Sequence, residues 1–246
     1  MFSFFKKKTP LPQLDFSVLG TDMHSHLIPG IDDGAPDLET SLELIKALQT
    51  MGFSNLITTP HVMTDLYPNT SEIILKGLND LQKAIEKAGM EITLSAAAEY
   101  LMDEAFGAKI EEENLLTLPG KRVLVEMSFV AEPPNLHDYL FRLQSRGYKP
   151  VLAHPERYLF YRGDLKKYER LKDYGCEFQI NLLSSTGYYG KPIKETTRKL
   201  FKAGLIDFLG TDLHNNNHAE LLNKGLKDPF LQQLLNTTWK NTQLQY

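Results

Sequence analysis

Short apolar runs alternate with longer stretches of helical periodicity along most of this chain. The runs cover residues 18–23, 55–59, 92–98, 122–127, 150–153, 177–182 and 207–210, each of strand length. Between them, within residues 37–51, Leu38, Leu42, Ile45 and Leu48 fall near helical spacing, and Gly52 closes the stretch. Residues 72–88 repeat the scheme up to Gly89, 136–145 up to Gly147, 165–174 up to Gly175 and 193–203 up to Gly204. A glycine just past the last periodic residue is a common helix stop, because it accepts a left-handed backbone. Strand–helix units in such a row predict an α/β fold with parallel strands and crossover helices, either closed into a barrel or open and doubly wound. No Pro-, Gly- or Ser-rich linker divides the 246 residues, so a single domain over 1–246 is expected, with residues 1–15 as a flexible arm.

Composition narrows the class. An apolar fraction of 42% and a charged fraction of 24% are ordinary for a globular protein. The net charge of -4 gives no global basic field, so no nucleic-acid partner is expected. The one cysteine, Cys176, allows no internal disulfide and fits a reducing compartment, so a cytoplasmic location is expected. No stretch approaches the roughly 18 apolar residues of a membrane span. The start, Met1-Phe2-Ser3-Phe4-Phe5-Lys6-Lys7-Lys8, places charge after the apolar residues, the reverse of a signal peptide. It could touch an anionic membrane surface weakly, although a frayed arm is the plainer reading.

The chemistry lies at the ends of the apolar runs. In order, these ends read Asp22-Met23-His24-Ser25-His26, Thr59-Pro60-His61, Ala98-Glu99-Tyr100, Val125-Glu126-Met127, Ala153-His154-Pro155-Glu156-Arg157, Asn181, and Gly210-Thr211-Asp212-Leu213-His214. Five of the seven histidines therefore fall at predicted strand C-termini, the rim where functional groups collect in parallel α/β folds. One such histidine alone would be read as a buried, hydrogen-bonded residue; the agreement of so many strand ends points to a metal site. His24 and His26, like Asp212 and His214, are two residues apart and share a face in a strand. Imidazole suits zinc, manganese or iron, carboxylate favours harder ions, and the lack of a cysteine ligand argues for a catalytic rather than a structural site.

Neighbouring residues extend this reading. Glycines flank two aspartates in Pro29-Gly30-Ile31-Asp32-Asp33-Gly34, a tight turn able to return one carboxylate to the site, although a plain Asp-Gly turn would look the same. Arg157 beside a metal cluster could grip phosphate oxygens in two places; its bland alternative is a surface ion pair with Glu156. His137 reads as a solvated residue at a helix start, and His218 as a residue able to reach substrate. A cysteine mechanism is excluded: Cys176-Glu177-Phe178-Gln179-Ile180-Asn181 has no arginine placed for a phosphate loop, and Glu177 opposes a low thiol pKa.

Taken together, these stretches resemble the polymerase and histidinol phosphatase (PHP) superfamily, most closely its bacterial capsule-type branch of manganese-dependent tyrosine-protein phosphatases. The resemblance runs in family order from about residue 20 to about residue 218. It implies a distorted (β/α)7 barrel with three divalent ions, Mn2+ first, with Fe, Zn or Mg as alternatives. By resemblance, His24, His26, Glu99 and Asp212 would hold one ion, and Glu99, Glu126 and His154 a second, Glu99 bridging the two. Asp33, His61 and His214 would hold the third, and Arg157 would bind phosphate. Family members act beside tyrosine kinases in capsule or exopolysaccharide assembly, which implies the phosphotyrosine segment of a bacterial tyrosine kinase as partner. Some members carry a second arginine after the last histidine. Here Asn215-Asn216-Asn217-His218-Ala219 stands there, so either His218 takes over or one arginine and the metals hold phosphate.

The expected function is thus metal-dependent phosphotyrosine hydrolysis, with a metal-activated water attacking phosphorus in line. A phenol leaves at a pKa of about 10, far below an aliphatic alcohol, and so needs little help from a general acid. Aromatic residues expected on the rim loops, Tyr67, Tyr100, Phe129, Tyr158, Tyr188 and Tyr189, could flank a phenyl ring. The alternatives are a small-molecule phosphatase such as histidinol phosphatase, and, from another class, a non-catalytic metal-binding module. The complete ligand set argues against the module.

Overall fold

The computed structural model describes residues 13–244. Its strands are β1 (Thr21–Asp22), β2 (Asn55–Thr58), β3 (His61–Val62), β4 (Thr93–Ala96), β5 (Glu99–Leu101), β6 (Arg122–Glu126), β7 (Lys149–Ala153), β8 (Glu177–Asn181) and β9 (Phe208–Gly210). All pair in parallel, in the orders β1-β2-β4 and β3-β5-β6-β7-β8-β9. The two sheets are halves of one wall. Pro60, which has no N–H to give, parts β2 from β3, and Ala97-Ala98 part β4 from β5. Pairing crosses both breaks, the Ala97 N–H donating to the Thr58 carbonyl at 2.9 Å and the Glu99 N–H to the Pro60 carbonyl at 3.1 Å.

The wall closes on itself. Ser25 pairs in parallel with Leu213. The Asp212 N–H donates to the His24 carbonyl at 2.8 Å, and the His26 N–H to the Leu213 carbonyl at 3.0 Å. Beside this seam, the fully buried Asp22 accepts from the Thr211 N–H at 2.9 Å and the Thr211 hydroxyl at 2.6 Å. The seven apolar runs therefore form the seven staves of a closed, distorted parallel barrel, not an open sheet.

Alternation along the staves sorts the core into two layers. Met23, Ile57, Ala97, Leu124, Val151, Ala153 and Phe208 fill the barrel interior. Leu56, Val123, Val125, Leu152 and Leu209 face outward into a larger apolar cluster, which extends from Phe16 to Trp239 and includes the helices. The stretches of helical periodicity form α1 (Leu38–Thr50), α2 (Ser71–Lys87), α4 (Leu136–Ser145), α5 (Leu165–Asp173) and α7 (Lys191–Lys202). The short α3 (Phe106–Glu111), α6 (Leu182–Thr186) and α9 (Pro229–Leu235) lay below the length at which periodicity is readable, and α8 (Asn216–Gly225), as long as α4, opens on a polar run that hides its period. No helix of the described residues is long and apolar enough to cross a membrane. The arm expected over residues 1–15 lies outside the described residues up to residue 12; beyond that, Leu14 exchanges backbone hydrogen bonds with the Gln232 side chain at 2.9 and 2.8 Å.

The turn after the first stave presses on the mouth of the barrel. The Ala35 N–H donates to the His26 carbonyl at 3.1 Å, and a Cβ on Gly34 would overlap that carbonyl and the His26 Cβ. Gly34→Ala must therefore push the turn away from the stave. The expected cost is about 1–3 kcal/mol, as for other overpacking changes. At about 2–4 °C per kcal/mol for a chain of this size, the melting temperature followed by circular dichroism should drop visibly. An unchanged melt would mean that the turn is free to move.

Candidate metal centre

Strand alternation delivers most of the candidate ligands. Ile57 faces the barrel interior, and so does His61 four residues later; Ala97 leads in the same way to Glu99, Leu124 to Glu126 and Phe208 to Asp212. His154 is out of step, one residue past the inward Ala153. It arrives through a left-handed backbone, φ 35°, and Asp212 is likewise left-handed at φ 51°. Non-glycine residues in this region carry strain that tends to collect at functional sites.

The nine expected ligands all meet at the mouth. Glu99 is the hub: its Oε2 lies 3.1 Å from His24 Nε2, 3.1 Å from His61 Nδ1 and 3.5 Å from His26 Nε2, and its Oε1 lies 3.1 Å from His154 Nε2. Asp212 Oδ1 is 3.3 Å from His24 Nε2 and 3.4 Å from both His26 Nε2 and His214 Nδ1. Asp33 Oδ1 lies 3.4 Å from His61 Nε2 and 3.5 Å from His214 Nε2. Three sets have ligand atoms mutually within 4.8 Å: His26, Asp33, His61 and His214; His24, His26 and Asp212; and His61, Glu99 and Glu126. The last set has His61 where the family resemblance implied His154. His154 Nε2 stands 4.0 Å from Glu126 Oε2 while keeping its contact with Glu99.

The residues around these ligands fit a cation site. His26 Nδ1 donates to Asp32 Oδ2 at 2.8 Å, His214 Nδ1 to the Asp212 carbonyl at 2.9 Å, and His24 Nδ1 to Gln179 Oε1 at 2.8 Å. Each bond fixes the proton on Nδ1 and leaves Nε2 to face the site, the usual arrangement behind metal-bound imidazole. The Nε2 atoms of His24 and His26 lie 3.3 Å apart, and two lone pairs at that distance need a positive charge between them. His61 Nδ1 and Glu126 Oε1 approach to 3.0 Å, yet both are buried without hydrogen-bond geometry to any partner.

Electrostatics show the same demand for positive charge. Burial opposes charging His24, but the Glu99 and Asp212 carboxylates push it up to about 10. Burial likewise opposes charging His61, which Glu99 and Glu126 push up to about 12. Burial and the neighbouring Glu99 charge raise Glu126 to about 7. Asp32 is held down to about 2 despite its burial, chiefly by the His26 imidazole. The carboxylates thus pull protons onto His24 and His61, which divalent ions would replace, whereas burial and then Arg157 push His154 down to about 4.

A cleft of about 430 Å³ opens over the mouth, lined in part by Leu66, Tyr67, Phe129, Arg157, Tyr189 and His218. The Arg157 guanidinium lies between two rings, 4.7 Å from the Phe129 centroid and 4.4 Å from that of Tyr189. Its Nη1 donates to Asp212 Oδ2 at 2.9 Å, so its partner is not Glu156, whose Oε1 accepts from the Asn181 N–H and the Ser184 hydroxyl. His218 reaches the cleft, its Nε2 3.3 Å from the Tyr188 hydroxyl, and burial and then His214 keep its pKa low. His137 is exposed and packs edge-on against Tyr174.

Two of the expected rim aromatics belong to the core instead. The Tyr100 hydroxyl accepts from the Leu116 N–H, and that of Tyr158 bridges the Met127 N–H and the Ala153 carbonyl. Asp32, from the turn expected to return a carboxylate, and the strand-end Asn181, whose Nδ2 donates to Asp212 Oδ2 at 2.7 Å, act as positioning residues, and a third, Gln179, escaped sequence reasoning. The available signal was a glutamine within the apolar run at 177–182. A second cavity, about 800 Å³ between α1 and α8, carries no such ligand set.

Known proteins share this architecture. A chain from a crystallographic study of YwqE from Bacillus subtilis and CpsB from Streptococcus pneumoniae, reported as unique metal-dependent tyrosine phosphatases, superposes with a TM-score of 0.80. It is 28% identical, over 91% of this chain and 93% of that one. An amidohydrolase from Mycoplasma synoviae, at 16% identity and a TM-score of 0.52, shares the fold alone. In sequence, the chain is 31% identical over 195 residues to the tyrosine-protein phosphatase YwqE of Bacillus subtilis, covering 79% of this chain and 77% of that protein. The tyrosine-protein phosphatase CpsB of Streptococcus pneumoniae is 26% identical over 220 residues, 86% of each chain. The family model for capsular polysaccharide synthesis, CpsB/CapC, matches residues 20–226. This barrel, with its histidine- and carboxylate-lined mouth, belongs to the CpsB/CapC family.

Proposed function

We propose that the chain is a metal-dependent protein-tyrosine phosphatase acting in the regulation of capsule or exopolysaccharide synthesis. The observation that carries this reading is the convergence of nine ligand-type side chains beneath a cleft that also holds Arg157. His24, His26, Glu99 and Asp212 hold one ion; Glu99, Glu126 and His154 a second, with His61 alongside; and Asp33, His61 and His214 a third. Manganese is the proposed metal, with iron, zinc and magnesium as rivals. The proposed substrate is the phosphotyrosine segment of a bacterial tyrosine kinase, met in the cytoplasm. The described residues act as one domain, since a single apolar cluster links the barrel to its helices.

Divalent ions, when bound, lower the pKa of water and polarise phosphoryl oxygens. The protein's own part is positioning. Gln179 and Asp32 aim the imidazoles, and Asn181 and Arg157 hold Asp212. The Arg157 fork, kept in place by Phe129 and Tyr189, meets the phosphate oxygens. His218 lies over the cleft with its Nε2 3.3 Å from the Tyr188 hydroxyl, its pKa lowered by burial and then by His214. One loosely held imidazole is modest help for an alkoxide but enough for a phenolate, whose conjugate acid has a pKa of about 10.

The direct test is kcat/KM with manganese on matched phosphotyrosine and phosphoserine peptides and on histidinol phosphate. Phosphotyrosine should lead, and stripping the metals with a chelator should abolish all turnover until manganese is returned. A clear lead for histidinol phosphate would replace the protein-phosphatase reading, and full activity without metal would end the metal reading.

Arg157→Ala should slow turnover about a hundred- to a thousandfold, the usual cost of losing one charge-stabilising donor. Asn181 still holds Asp212 in that variant, so the metal content measured by plasma emission should stay at the parent's level. Near-normal activity would reduce Arg157 to a partner of Asp212.

Cys176 is buried, and burial pushes its thiol up to about 12. Iodoacetamide at pH 8 should leave the folded protein unlabelled and fully active, with labelling appearing only in denaturant. Rapid inactivation of the native protein would bring cysteine chemistry back into question.

A further inference from the structure

Among the described residues, five large exposed apolar side chains sit on loops leaving the C-terminal ends of the staves: Leu66 after β3, Phe129 and Val130 after β6, Leu159 after β7 and Tyr188 after β8. The exposure is considerable, 70% for Leu66, 58% for Leu159 and 89% for Val130. The other large exposed apolar residues ride on helices or lie just before strands. Exposed apolar residues gathered around a binding cleft mark a contact surface, whereas single ones scattered over a surface mean little.

This rim is continuous with the cleft. Leu66 and Phe129 line it from the loops after β3 and β6, and Val130 is the next residue in the chain. Tyr188 packs edge-on against His218, itself a lining residue, with centroids 5.3 Å apart. Charge on the four loops is sparse and mixed. Asp65, Glu132, Glu156, Arg157, Arg162 and Asp164 form no run of one sign, Glu156 is buried, and residues 182–190 carry no charge at all. A surface of this kind cannot read an acidic or a basic flank. It can bury apolar side chains carried next to the group in the cleft.

We infer that the rim formed by Leu66, Phe129, Val130 and Tyr188 is a specificity surface that selects phosphotyrosine segments with large apolar residues beside the phosphotyrosine. The inference rests on the phosphatase reading above. That reading concerns the reacting phosphate, and the rim concerns the residues on either side of it. Apolar flanks gain by leaving water against Leu66 and Val130, and the gain enters when the peptide binds. It should therefore show in KM rather than in kcat.

The test uses the full chain with manganese, p-nitrophenyl phosphate as a substrate without flanks, and three matched phosphotyrosine peptides. These carry leucine, serine or aspartate on both sides of the phosphotyrosine. The leucine peptide should exceed the serine peptide in kcat/KM by about tenfold, the scale set by burying one apolar side chain at a site. The double variant Leu66→Ser, Val130→Ser should bring the ratio of leucine-peptide to p-nitrophenyl phosphate kcat/KM down by about the same factor, through KM. Both side chains are exposed, so the variant should melt with the parent. Hydrolysis of p-nitrophenyl phosphate with equal rates on all three peptides, a lead for the aspartate peptide, or an unmoved ratio in the double variant would overturn the rim and leave the phosphatase reading standing. Failure to hydrolyse any of the four substrates would overturn the phosphatase reading and the rim with it.

Discussion

Glu99, Glu126 and Asp212 are buried at one end of the barrel, and Asp33 leans over them. Two unit charges of like sign 4 Å apart repel by about 4 kcal/mol at an effective dielectric of about 20. Such a group of carboxylates is stable only with positive charge among them. Five imidazoles surround them, and that need can be answered in two ways, by protons on rings such as His24 and His61 or by cations that meet the ring lone pairs. The carboxylates push His24 and His61 far up when protons do the work. The bonds from Nδ1 of His24, His26 and His214 leave their Nε2 atoms aimed for cations. Glu99 alone among the carboxylates meets imidazoles at 3.1 Å through both oxygens, so it is the member whose charge the whole group depends on.

Holding that group together costs backbone strain. The left-handed conformations of His154 and Asp212 carry on the order of 1–3 kcal/mol each. Asp212 is held by Asn181 and Arg157 on its side chain and by the His24 carbonyl on its N–H. His154 is held through Glu99. The same fixings place the Arg157 guanidinium between Phe129 and Tyr189, so the strained residues and this arginine form one connected unit.

Much of this was legible in the sequence, because alternation and glycine stops are local. The seven apolar runs are the seven staves, and five of the six longest helices fall within a residue or two of the stretches of helical periodicity. Strand ends bearing His, Asp and Glu pointed to the mouth of the barrel before any geometry was known. What was hidden depends on distant contacts. The breaks at Pro60 and Ala97-Ala98 turn on which neighbours take over the interrupted pairing. Asp32 and Asp33 are adjacent, and only the fold separates the residue that orients His26 from the one that faces His61 and His214. Tyr100 and Tyr158 stand at strand and loop positions no different in pattern from Tyr189, and only packing sends their hydroxyls into the core.

The seam between the first and last staves bears on how the protein is made. Thr211 and Asp22 bond across 189 positions of sequence, and His24 and His26 lie on one side of that seam, Asp212 and His214 on the other. Synthesis runs from one end at about 5–20 residues per second, so the second pair emerges about 10–40 s after the first. In that interval the earlier histidines are loose imidazoles on an unfinished chain, with no means of telling one divalent ion from another. The ligand sets that draw on both pairs are complete only after the last stave has docked.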